Sequence, residues 1–274
     1  MLAAVAPSRA VAGAWLQAPG EAYVKTSWLR LHADERASCD GGREGVESFG
    51  GSYRENQAFV YAEVGVAPRI TAVGSFAYKD ARIVDGDVPD YGTRSTGDLR
   101  AGVRIGVLSG AIPMSVETLV SIPSYPRSDP TDPIGQRQQF LPAGTGNIDV
   151  ESRLQAGFSL HPLPLYVNAE AGVRARGGGY GDQWLVAFEV GAVADRLFVK
   201  SDLRGTIGHG EFCENASAGA VSIDERVWQW APEVSVRVGR DLWLGAGVSL
   251  PFAARNALIG PQWSLSLAWQ RRAT

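Results

Sequence analysis

The 274-residue chain has no run of about eighteen apolar residues, and so no candidate transmembrane helix. It has no dominant charge either. Its 26 basic and 29 acidic residues leave a net charge of −3, which supplies neither a basic footprint for nucleic acid nor an acidic tail. Histidine is limited to His32, His161 and His209, scattered through the chain, so neither a metal site nor a cofactor is expected. No serine sits in a Gly-x-Ser-x-Gly elbow, and the His-x-Ser-Asn run of barrel phospholipases is missing. The glycine run at 177–181 precedes no helical pattern, which excludes a phosphate loop and leaves a surface loop. His209-Gly210-Glu211 could hold an acid/base pair but reads better as a solvated loop. The chain is therefore not expected to be an enzyme.

What the chain does have is glycine, 33 residues of it, eight tryptophans, and a period of two. In 150–160, Val150, Leu154, Ala156, Phe158 and Leu160 share one face, while Glu151, Arg153, Gln155 and Ser159 share the other. After His161-Pro162-Leu163-Pro164 the pattern resumes, with Val167, Ala169, Ala171 and Val173 opposing Asn168, Glu170, Arg174 and Arg176. A third stretch sets Trp184, Val186, Phe188 and Val190 against Glu189. About twelve such strands can be counted from Glu21 to Gln270, joined by connections that are alternately long and short. This predicts an all-β chain: a transmembrane, antiparallel, up-and-down β-barrel. Alternation is imperfect around Leu29-Arg30-Leu31, where a bulge is expected, and Pro232 and Pro251 predict bulges or strand ends near the rim. Residues 85–95 and 123–147 read as polar loops, the latter with five prolines.

Orientation follows from cost. Arg or Lys facing lipid at the midplane costs roughly 2–4 kcal/mol, so the charged face must point inward. The expected pore lining is Glu63, Lys79, Asp98, Arg100, Arg104, Glu117, Glu151, Arg153, Glu170, Arg174, Arg176, Glu189, Lys200, Asp202, Arg204, Glu233 and Arg237. These residues either line a water-filled pore and set its field, or pair with one another and fill the lumen. Twelve strands enclose more room than the eight that side chains can plug, which favours an open or loop-constricted lumen. Trp28, Tyr78, Trp184, Trp228, Trp230, Trp263 and Trp269 fall on the outward face as interfacial girdles. Cys39 and Cys213 both fall in long loops outside the reducing cytoplasm, as a disulfide across the mouth or as two free thiols.

Residues 1–19 divide from the barrel at 20–274. Ala10-Val11-Ala12 resembles a leader-peptide cleavage pattern, so 1–19 reads as a signal-peptide remnant or a mobile segment.

The stretches LPAGTGNIDVESRLQAGFSL and LPLYVNAEAGVRAR carry a resemblance, through Gly144-Thr145-Gly146, Asp149, Gly157, Tyr166, Gly172 and Arg174. They look like the outer-membrane proteins assigned to the meta-pathway of phenol degradation and to related outer-membrane transporters. GEAYVKTSW and YAEVGVAPRITAVGSFAYK are similar to the same group and to XagA-like proteins linked with exopolysaccharide. The resemblance spans roughly Gly20 to Val193 and implies passive uptake or export. The sequence ends in Trp269-Gln270-Arg271-Arg272-Ala273-Thr274 rather than in the terminal aromatic common in such barrels, so a different assembly signal is expected.

The expectation is thus a porin-like channel of the bacterial outer membrane with both termini periplasmic. Its partners would be outer-membrane lipid, a small-molecule solute and the barrel-assembly machinery, and no nucleic acid. The alternatives are a plugged barrel accessory to exopolysaccharide export and a lipid-acting enzyme.

Overall fold

The structure is a computed structural model that describes residues 13–46, 51–85, 88–125, 143–210 and 224–272. Its strands, in chain order, are β1 (Ala22–Ala33), β2 (Glu35–Ala37), β3 (Arg43–Gly45), β4 (Ser52–Ala67), β5 (Ile70–Asp85), β6 (Val88–Thr96), β7 (Leu99–Leu108) and β8 (Met114–Ile122). They continue with β9 (Asp149–Ser159), β10 (Leu165–Ala175), β11 (Gln183–Ala194), β12 (Leu197–Gly208), β13 (Arg226–Arg237), β14 (Leu242–Arg255), β15 (Ala257–Ile259) and β16 (Gln262–Arg271). Each wall strand pairs antiparallel with its neighbours in chain order, and β1 closes the ring by pairing with both β4 and β16. Twelve strands form the wall. β2, β3 and β15 make a separate three-stranded sheet among the long connections.

Closure pairs both edges of each of the twelve wall strands, which is what hydrocarbon demands of a sheet. Side-chain alternation does the rest. Val103 is 41 % exposed on the outer face, whereas the next residue, Arg104, is 2 % exposed inside. All seven aromatic residues expected outward are exposed. Six of them lie toward the long-loop end, and Trp269, paired with Leu242 at the start of β14, lies at the tight-turn end. Ala22 pairs with Arg271, so the start of β1 and the end of β16 meet at the tight-turn end.

The bulge expected at Leu29-Arg30-Leu31 is absent, because β1 pairs without a register shift on both sides. The alternation only looked broken. Leu31 and Ala33 face inward, where they pack with Tyr53, Ala81 and Ile83 of β4 and β5, Val46 after β3, and Leu258 of β15. Arg30 faces outward. This apolar lid ties the long-loop ends of β1, β4 and β5 to the small sheet through Val46 and Leu258. Full burial of a residue such as Ile83 contributes roughly 1.5–3 kcal/mol. The polar loop expected at 85–95 is largely strand, since β6 turns back onto the upper half of β5. Pro251 does sit at a bulge: the register shifts between Trp228 and Gln229, with Pro251 opposite Gln229. Pro232 pairs with Ser201 on one side, while on the other the β13–β14 ladder lapses between Trp230 and Glu233. It lies mid-strand, not at the rim, where the missing amide hydrogen falls in that lapse.

Candidate functional site

A cavity of about 630 Å³ occupies the lumen. Thirteen of the seventeen expected lining residues border it, as do Lys25, Tyr23 and Tyr61. β4 and β7 to β13 send charged residues inward, and the register brings opposite charges side by side. Three networks result.

The first joins β4, β7 and β8. Arg104 Nη1 lies 3.0 Å from Glu63 Oε1, and Nη2 lies 2.7 Å from Glu117 Oε2. The Tyr61 hydroxyl donates to Glu63 at 2.5 Å and accepts from Arg104 at 3.2 Å. The second is arginine-rich. Glu151 of β9 holds Arg100 at 2.7 Å, Arg153 at 2.5 Å and Arg174 at 2.8 Å. Arg153 also reaches Glu170 at 3.1 Å. The third runs along β11, β12, β13 and β1. Lys200 lies between Glu189 at 2.9 Å and Asp202 at 3.1 Å, Arg204 meets Asp202 at 2.6 Å, and Lys25 meets Glu233 at 2.6 Å. Tyr166 donates to Glu189 at 2.5 Å.

The other four expected residues sit away from this cavity. Lys79 donates to the carbonyl of Ala143, and Asp98 accepts from the Tyr125 hydroxyl. Burial first, and then Asp98, raises the Tyr125 pKa well above the usual phenol value. Arg176 lies over the Tyr180 ring in the β10–β11 loop, and Arg237 pairs with Asp195 at the tight-turn rim. Cys39 is disulfide-bonded, and Cys213 lies outside the described residues, as does Glu211 of the His209-Gly210-Glu211 run. His209 lies against Trp184 with ring centroids 5.1 Å apart. Among the described residues no cluster of His, Cys, Asp and Glu is arranged to hold a metal.

One part of the site had no sequence signal of its own. Residues 13–20, all but Gly20 from the stretch read as a leader remnant or mobile segment, run across the lumen at the tight-turn end. Ala14 N donates to Asn168 Oδ1 at 3.1 Å, and Gln17 N donates to Thr71 Oγ1 at 3.0 Å. The Gln17 side chain donates to Glu63 at 2.8 Å, and Gly20 N to the Gly65 carbonyl at 3.0 Å. Trp15 meets Tyr166 edge-on with centroids 5.6 Å apart, while its carbonyl accepts from Arg104 at 3.2 Å. Three wall glycines make room for the crossing, Gly65, Gly157 and, against the Leu16 side chain, Gly106. A Cβ on Gly65 would lie 2.0 Å from the Ala18 carbonyl oxygen, and one on Gly157 would lie 2.6 Å from the Trp15 ring. Residues 13–20 thus bridge β10 to β4, β5 and β7 inside the barrel.

Eight cations and seven carboxylates line the cavity, so it carries no strong charge of one sign. All of these charged residues except Arg272 make an ion pair within it. The local balance is less even, because three guanidiniums share Glu151, which is 2 % exposed.

The chain matches no protein-family model, and a search of curated proteins finds no relative in sequence. Solved structures do match. The COG4313 outer membrane channel from Pseudomonas putida F1 superposes with a TM-score of 0.70 at 13 % identity, over 92 % of this chain and 96 % of that one. The fold is that of an outer-membrane barrel. The NanC porin gives a TM-score of 0.52 at 7 % identity, over 89 % of this chain and 98 % of that one.

Proposed function

We propose that this barrel is a channel of the bacterial outer membrane that passes small solutes through its charged lumen, with residues 13–20 as a stopper on the periplasmic side. The observation that carries the reading is the cavity of about 630 Å³ inside a closed twelve-stranded wall, lined by paired charges. The apolar outer face supports the membrane location, and the likeness to an outer membrane channel supports the transport role. Both termini of the wall would then be periplasmic, since the tight turns share that end. Solutes would displace the stopper or pass beside it. The phenol-degradation and XagA-like resemblances remain part of this proposal as candidate settings, with no family model behind them.

A specific observation favours a second reading. Ala14 and Gln17 are buried, and a stopper held by so many hydrogen bonds fits a plugged accessory barrel. Planar-bilayer recording separates the two. The full chain should give discrete conductance steps, and a variant lacking residues 13–20 should give larger ones. A closed bilayer with both proteins, each verified as folded, rejects the channel.

A further inference from the structure

The outer face of β1, β4, β5 and β6 changes character row by row toward the long loops. Thr26, Val60 and Phe76 lie side by side in one row, and Trp28, Ala58, Tyr78 and Thr96 in the next. Then the chemistry turns over. Arg30, Asn56, Asp80 and Arg94 make the following row, and His32, Arg54, Arg82 and Gly92 the one beyond. All four arginines are exposed.

Only one carboxylate stands in those two rows. Asp80 meets Arg82 at 3.3 Å and Arg94 at 3.0 Å, while Asp34, beyond the end of β1, is held by His32 at 2.9 Å. Arg30 and Arg54 make no ion pair among the described residues. A row is two residues along the strand, so with strand tilt the charged rows stand roughly 5 and 10 Å beyond the aromatic one. The headgroup layer of a bilayer extends about 5–8 Å beyond the hydrocarbon on each side. The first row, with Arg30 and Arg94, therefore sits at headgroup depth, and Arg54 and Arg82 stand just outside it, where a long side chain can lean back to the phosphates. Guanidinium is also the side chain best matched to phosphate oxygens, which it can bind with two donors at once.

From this we propose that Arg30, Arg54, Arg82 and Arg94 form a docking surface for the phosphates of an anionic membrane lipid in the leaflet at the long-loop end. The proposal rests on the membrane reading above and adds a site on the outer wall, separate from the lumen. It also accounts for Arg30 facing outward, which no lumenal role requires.

The test uses the full chain folded in detergent micelles. It is titrated with bisphosphorylated lipid A, with dephosphorylated lipid A bearing the same acyl chains, and with inorganic phosphate. Binding is read by native mass spectrometry. The phosphorylated lipid should bind at least roughly tenfold more tightly than the dephosphorylated one. The combined Arg30→Glu, Arg54→Glu, Arg82→Glu and Arg94→Glu variant should lose that preference. Arg30→Gln with Arg54→Gln breaks no ion pair, so it should fold normally and reduce the preference severalfold. Equal binding of the two lipids, an unchanged preference in the double variant, or full displacement of lipid A by equimolar inorganic phosphate would overturn the proposal. Insertion into liposomes is scored in parallel. A protein that does not insert refutes the membrane reading, whereas one that inserts without phosphate preference refutes only the docking surface.

Discussion

Arg104 donates from its guanidinium to the backbone carbonyl of Trp15 at 3.2 Å, so a wall residue of β7 grips a segment that precedes the first strand. The same side chain, 3 % exposed, neutralises Glu63 and Glu117. Truncating it leaves two buried carboxylates without their cation, and breaking such a pair typically costs about 3–5 kcal/mol. Arg104→Ala should lower stability by that order in urea unfolding from lipid vesicles and should free the stopper. Arg104→Met with Glu63→Gln and Glu117→Gln removes the charges together and should recover much of the loss. If the single variant is as stable as the wild type, the network is not holding the segment.

Gly157 offers a gentler way to move the stopper. A valine there would drive its side chain into the Trp15 ring, where even a Cβ would lie 2.6 Å away. Overpacking of this kind costs typically 1–3 kcal/mol, and here the displaced group is a coil rather than a packed strand. Gly157→Val should leave the barrel folded by heat-modifiable gel migration while residues 13–20 become accessible to protease. Conductance should rise with that accessibility. Protection equal to that of the wild type would mean that Trp15 has another way to stay seated.

The wall and its inward charges were legible because a charge on the wrong face is expensive, so each strand writes its own orientation. Pairing between the charges was not legible. Glu151 gathers Arg100 of β7 and Arg174 of β10 beside Arg153 of its own strand, and the first two relations are set by register rather than by spacing along one strand. Lys25 was hidden for a local reason. Leu29 and Leu31 share its face, Leu29 at the cavity and Leu31 against the lid, and two inward leucines made the parity of β1 look broken. The stopper was illegible in principle, because an extended coil has no period. Its trace lies on the wall, at Gly65 and Gly157, and only a closed ring explains why both need bare backbone.

Glu151 is the natural place to alter selectivity. Three guanidiniums share it, so Glu151→Gln removes one negative charge from a site already rich in positive ones. At an effective dielectric near 20, one charge within about 8 Å of a passing ion changes its energy by roughly 2 kcal/mol before salt screening. Reversal potentials in a potassium chloride gradient should therefore move toward chloride, by about threefold or more in permeability ratio. Arg174→Glu should move them the other way. Identical reversal potentials in all three proteins would show that ions do not pass this part of the lumen.

The boundary between lipid and headgroup can be read from stability alone. Val103 is 41 % exposed and sits opposite Ala72 on β5 and Thr118 on β8, well below the aromatic row. Val103→Arg should destabilise the barrel by about 2–4 kcal/mol in reversible unfolding from vesicles, the cost of arginine near the midplane. Arg54 lies two rows beyond Trp28 on the same outer face, so Arg54→Val exchanges the same two residues where water reaches the wall. That change should cost less than about 1 kcal/mol. Similar costs at the two positions would place both at one depth and would refute the assignment of Trp28 and Tyr78 to the interface.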